Sequence, residues 1–329
     1  MQEQAEILDG SAQAGPSIFM AEGSGRGDRV FKGAVTGVAA LVPLMAVGML
    51  IILGSAAWLC MHTMGWSFLT SQAWDPVKEE FGGAAFAYGT LMSSLIALLI
   101  AGPLGVAIAL AITEFAPLKA RGAAALVVEL LAAVPSVIYG LWGMFVFAPF
   151  MRMHVEPHLV SWLGGPLFKV AGTGLSLLTA GVIVSIMILP TVMAICREVF
   201  DSVPVALRES SLALGATRWE ATAMAVLTPS KAGIIGAVIL GMGRALGETM
   251  AVTMVIGNRP EISANLLAPS DSLASVIANQ FTEATSSMHL SALAELGFLL
   301  FFITMALNLA ARLLVWLTSR RLKSVGAKA

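Results

Sequence analysis

The run GIIGAVILGMGRALGETMAVTMVIG, Gly233–Gly257, decides how this chain is to be read. It is long enough to cross a bilayer, for which about 20 mostly apolar residues suffice. It also holds two charges, Arg244 and Glu248. A charge at the centre of a membrane helix costs at least ~2.5–3.5 kcal/mol on insertion scales, so it faces a partner or a wet cavity. Working outward from this run, five more apolar stretches qualify as spans: Gly33–Cys60, Ala85–Ile112, Gly122–Phe150, Gly174–Cys196 and Leu290–Leu317. None alternates apolar with polar residues as barrel strands do, so the fold expected is all-α, a polytopic bundle of six transmembrane helices.

Composition agrees. Of 329 residues, 57% are hydrophobic and 12% charged, against roughly 25% charged in soluble domains. The net charge of −1 gives no pull on nucleic acid. Cys60 and Cys196 are too few for a disulfide framework or a metal site and read as buried thiols. No G-x-x-x-x-G-K-[ST] run occurs, so the chain binds no ATP by a P-loop. His154 and His158 fall in what reads as an irregular outer loop and make no metal site.

Basic residues orient the spans. Thirteen lysines and arginines fall on the side that holds both termini and the loop Arg197–Lys231; Lys78, Arg152, Lys169 and Arg259 fall on the other. Both termini are therefore expected in the cytoplasm. Residues 1–30 read as a disordered cytoplasmic tail, 31–320 as the membrane domain and 321–329 as a second cytoplasmic tail. Pro103, Pro135 and Pro190 are expected to kink their helices. In the outer loops, Trp66, Phe68, Trp74 and Phe81 suggest an interfacial aromatic belt. Leu273, Val276, Ile277 and Phe281 suggest an amphipathic helix.

The cytoplasmic loop is patterned throughout. Pro204 suits a first helical turn, Gly215 a left-handed stop, and Thr217-Arg218-Trp219-Glu220 a capping box. Two short helices around a glycine turn are expected there, a surface suited to a partner.

Glu209-Ser210-Ser211-Leu212-Ala213-Leu214-Gly215 resembles the EAA-x-x-x-G motif of ABC importer permeases, with Ser-Ser in place of Ala-Ala. The family's closing Leu-Pro is spread here as Leu227-Thr228-Pro229. Gly243–Val252 with Ile256-Gly257-Asn258 is similar to the PstC-type permeases of bacterial phosphate importers. So are Trp74-Asp75, Tyr88-Gly89-Thr90, Thr113-Glu114, Glu129–Ser136 and Tyr139-Gly140.

The resemblance implies a type I importer permease in the bacterial inner membrane. It implies a loop at about residues 200–228 that couples to an ATPase through Glu209, Ser210, Ser211 and Gly215. The expected partners are a homologous second permease (PstA-type), an ATPase dimer (PstB-type) and a periplasmic phosphate-binding protein (PstS-type). ATP and magnesium would then be used by the ATPase, with no cofactor and no catalysis in this chain.

The chemistry of the fifth span fits an oxyanion. Arginine offers a planar fork that matches phosphate oxygens. Residues four apart share a helix face, so Glu248 is expected to reach Arg244. Gly243 and Gly247 form a close-packing motif that leaves room beside the guanidinium. Arg244, Glu248 and Thr249 are thus the candidate substrate path. The alternatives are an ion pair serving packing alone, a permease for sulfate or molybdate, and an ion-coupled secondary transporter. The last would need inverted repeats that the sequence does not display.

Overall fold

The computed structural model describes residues 26–170 and 172–326. The chain divides into two compact units at Ile51/Ile52. The first, where described, is the helical run 26–51; the long helix α1, Arg26–Met64, continues from it into the second unit. Residues 1–25 of the expected tail lie outside the described residues, but 26–30 already belong to α1. Asp28 in the first turn suits a helix N-terminus. Likewise the last helix runs to Gly326, through most of the tail assigned to 321–329.

Six helical stretches are long and apolar enough to cross a membrane: Gly27–Met64, Ala84–Phe115, Ser136–Trp162, Leu177–Asp201, Arg218–Leu246 and Ser287–Leu313. Within the second unit the elements after α1 are α2 (Ala84–Leu110), α3 (Leu118–Ala133), α4 (Ser136–Trp142) and α5 (Glu156–Trp162). There follow α6 (Leu177–Asp201), α7 (Val205–Ala213), α8 (Arg218–Ala221), α9 (Thr228–Leu246), α10 (Met250–Val255), α11 (Leu273–Gln280) and α12 (Ser287–Gly326). One two-residue hairpin pairs Trp74 with Phe81 and Asp75 with Glu80.

α6 is the axis of the bundle. As far as Cys196 its sequence carries no charge on any face, the mark of a buried helix. In its most apolar window 61% of residues are buried, more than in any other span. Ser176 caps it by accepting the Thr179 N–H, which moves the start three residues past Gly174. Leu177, Ile183, Val184, Met187 and Ile188 of α6 pack with Ile96 and Ala97 of α2 and with Val252 and Val255 of α10.

The third span departs from expectation. A continuous helix over Gly122–Phe150 with a kink at Pro135 does not form. Val134 and Pro135 are both extended, with ψ of 126° and 141°. A residue before proline is pushed out of the α region, and proline itself supplies no N–H. Two consecutive extended residues therefore end α3. The Leu131 carbonyl, which accepts the Val134 N–H at 3.4 Å, also accepts the Tyr139 hydroxyl at 2.9 Å across the gap. The spanning run is instead Ser136–Trp162, which includes the π-helical turns Gly143–Phe147 and Met151–Val155. Arg152, His154 and His158 thus lie on helix rather than in an irregular loop.

The aromatic belt is corrected in the same way. Phe68 and Phe81 are buried in a second core with Phe86, Leu273, Val276 and Leu293. Trp74 meets Phe81 and Phe86 edge-on and donates its indole N–H to Gln280. Of the four aromatics only Trp66 is strongly exposed. Phe68, Trp74 and Phe81 pack into this core instead of ringing the bundle.

Candidate functional site

The fifth apolar run is two helices, not one. α9 ends at Leu246, Gly247 takes φ −91° and ψ 0°, and α10 begins at Met250. Arg244 is in the last turn of α9, with its side chain exposed. Glu248 lies beyond the helix end, and its Oε1 accepts the Ala251 N–H at 3.3 Å at the start of α10. Thr249 donates to the Gly247 carbonyl, and its own carbonyl accepts from Thr253.

The expected Arg244–Glu248 contact is therefore absent: no ion pair joins the two among the described residues. The i,i+4 rule holds only within a continuous helix, and the helix stops between them. Each charge sits instead at the helix end whose dipole favours it, the arginine at a C-terminus and the carboxylate at an N-terminus. The guanidinium is left uncommitted to the acid.

Its surroundings are small and polar. A side chain at Gly243 would meet only the Asn308 amide oxygen of α12, at 3.9 Å. At Gly247 it would meet only the Gly243 carbonyl, at 3.7 Å. The close helix contacts on α9 are at Gly233 and Gly241, where an added Cβ would fall 2.6 Å from Val199 and 2.7 Å from Val192 of α6. Gly243 and Gly247 instead flank Arg244 with open space. α10 presses on α4 at Gly140, where a Cβ would lie 3.0 Å from the Ala251 backbone. The breaks at Val134-Pro135 and Gly247-Glu248 are thus joined through the helices that follow them. Asn308 was not singled out from the sequence, and Tyr139 entered only within the Tyr139-Gly140 resemblance, since nothing local ties either to the fifth run.

The second element of the site is the loop between α6 and α9. α7 ends in a Schellman motif: Gly215 has φ +88°, its N–H donates to Leu212, and the Ala216 N–H donates to Ser211. Thr217 and Glu220 then form the expected capping box. Glu209 and Ser210 lie on α7 with exposed side chains, and Ser211 is half-buried. The Ser210 and Ser211 hydroxyls both donate to the Leu207 carbonyl.

Arg208 anchors this loop. Its Nη2 lies 3.0 Å from Glu114 Oε1 at the end of the second span, and its Nε donates to the same oxygen at 3.1 Å. The remaining donors close on the Phe200 and Val203 carbonyls, at 2.7 and 2.8 Å. Phe115 stacks on Trp219 alongside. The sequence showed Glu114 only within the Thr113-Glu114 resemblance, because a pairing across 94 positions has no local signature.

Residues 101–324 match the family described as "Binding-protein-dependent transport system inner membrane component". This chain belongs to that family. It is 45% identical over 290 residues to the phosphate transport system permease protein PstC of Mesorhizobium japonicum, covering 87% of this chain and 89% of that one. The protein of that name from Pasteurella multocida is 45% identical over 277 residues, covering 83% and 86%. A PstC from Mycobacterium tuberculosis is 37% identical over 278 residues, covering 80% and 81%. Among solved structures, the inward-facing methionine ABC transporter MetNI aligns with a TM-score of 0.49 at 17% identity, covering 69% of this chain and 89% of its own. A bacterial ABC transporter involved in import of the acidic polysaccharide alginate aligns at 0.48 and 19%, covering 88% and 98%.

Proposed function

We propose that this chain is the permease subunit of an ATP-driven importer that moves inorganic phosphate across the bacterial inner membrane, with both termini in the cytoplasm. The observation that carries the reading is the broken fifth helix, which holds Arg244 beside two glycines at a helix end with no ion pair to it among the described residues. An arginine kept only to neutralise Glu248 would be paired with it. Proteins called phosphate permeases, 45% identical over most of this length, supply the substrate. Arg244 takes phosphate oxygens through its fork. Glu248 and Thr249 line the same gap, where a carboxylate favours an anion that still carries a proton to donate. The loop around α7, with Glu209, Ser210, Ser211 and Gly215, docks an ATPase dimer that uses ATP and magnesium. A homologous second permease and a periplasmic phosphate-binding protein complete the assembly. This chain performs no catalysis of its own.

Uptake of radiolabelled phosphate into cells lacking the wild-type gene tests this. Arg244→Gln is expected to abolish uptake at an unchanged amount of membrane-inserted protein. Wild-type uptake by that variant would refute the path. Normal phosphate uptake after deletion of the gene would refute the substrate.

A further inference from the structure

At the end of the bundle that carries α7 and α8, a cavity of about 540 Å³ opens between two walls. One wall is the turn that follows the second span, with Glu114, Phe115 and Arg121; the other is the loop, with Arg208 and Arg218. Three guanidinium groups thus face one carboxylate. Arg208 spends its donors on Glu114 and on two carbonyls. Arg121 uses only its Nε, on the Ala116 carbonyl at 3.1 Å. No hydrogen bond or ion pair engages the Arg218 side chain among the described residues. Arg121 and Arg218, on opposite walls of one cavity, therefore pair with no carboxylate among the described residues, Glu114 being held by Arg208.

We infer that this cavity binds a phosphate-class anion, bridged between Arg121 and Arg218. Arginine forks suit tetrahedral oxyanions bidentately. The walls are already clamped by the Arg208–Glu114 pair and the Phe115–Trp219 stack, so the site is largely preformed. A bridging anion ties the α7–α8 loop to the turn after the second span and restrains its movement. The anion is either free phosphate or the headgroup of an anionic lipid, which share this chemistry. The binding itself stands whether or not the loop meets an ATPase. Only its consequence, restraint of transport by anion on that side, rests on the function proposed above.

The test uses the full chain in nanodiscs of phosphatidylcholine, alone or mixed with phosphatidylglycerol, and reads amide hydrogen exchange at residues 114–121 and 205–222. Inorganic phosphate at about ten times its Kd is expected to slow exchange about tenfold in neutral discs. A lipid ligand gives that protection in phosphatidylglycerol discs without added phosphate. Either result supports the site if Arg121→Gln and Arg218→Gln each remove the protection and Arg244→Gln retains it. Exchange in the spanning helices reports that the variants remain folded, and Lys at either position should restore part of the protection. Absence of protection from both sources, or its survival in either Gln variant, overturns the proposal.

Discussion

Arg208→Ala should free the α7–α8 loop while leaving the spanning helices in place. The wild-type side chain holds Glu114 at 3.0 Å and two carbonyls of the α6–α7 junction, and the partners' side chains are only 21% and 13% exposed. Removing one partner of a fully buried pair costs about 3–5 kcal/mol, and an exposed pair contributes about 0–1. For this burial we expect a loss of about 3 kcal/mol. One decade corresponds to about 1.36 kcal/mol, so exchange at 205–213 should quicken roughly 100-fold. Exchange in α6 and α2 should not change. Glu114→Gln keeps an acceptor in place and should cost about 1 kcal/mol. The double variant should cost less than the two singles together, because the second change removes a contact already lost. Unchanged exchange at 205–213 in Arg208→Ala, or strict additivity in the double variant, would refute the reasoning.

Gly215→Ala meets no atom within 4 Å, so its whole effect is backbone strain at φ +88°. A cost of about 1–2 kcal/mol is expected, seen as transport-independent ATP hydrolysis in the assembled importer. Gly140→Ala drives a Cβ to 2.6 Å from Met254 Sδ and 3.0 Å from the Ala251 backbone. The thioether can yield and the backbone cannot, so we expect a loss of about 1–3 kcal/mol in detergent melts. An unshifted Tm would count against the tight α4–α10 contact. Burial pushes the Asp271 carboxyl, outside the spans, up to about 6, from about 3.9 when unfolded. The folded state holds this proton more tightly, so the contribution is full below about pH 4 and lost as pH rises through about 6. Melts of Asp271→Asn should lack that decline between those pH values; identical profiles for both proteins would show Asp271 is not its source.

Much of this was readable from one sequence, for physical reasons. Apolar run length gave six spans, because a bilayer sets a minimum that few other structures meet. The capping box and Gly215 announced the two short helices, since caps are local chemistry within four residues. Breaks were harder. Pro135 announces a disruption, but whether it kinks or ends a helix depends on Val134 and on Tyr139 reaching back to Leu131. Gly247 carries less signal still. Read as continuous, the helix put Glu248 against Arg244; read as broken, it separates them. Phe68 and Phe81 looked interfacial because an aromatic in a loop beside an apolar run gives no sign of what folds over it. The Arg208–Glu114 clamp was invisible, as any contact between distant elements is without a second sequence for comparison.

The capping box at Thr217 opens a helical run that continues without interruption from Arg218 to Leu246. At about 1.5 Å per residue, Arg218 and Arg244 are separated by up to roughly 39 Å along a helical run that includes the π-helical stretch Thr222–Leu227. The run behaves as a lever with its handle in the loop and its tip at the gap before Gly247. A tilt of about 5° at the handle would swing the tip by about 3 Å, roughly the length of a hydrogen bond. Because the chain breaks just beyond the tip, that swing need not pass into α10. A small motion at one face of the membrane can therefore gather or release a guanidinium's grip while the opposite end of the bundle stays still.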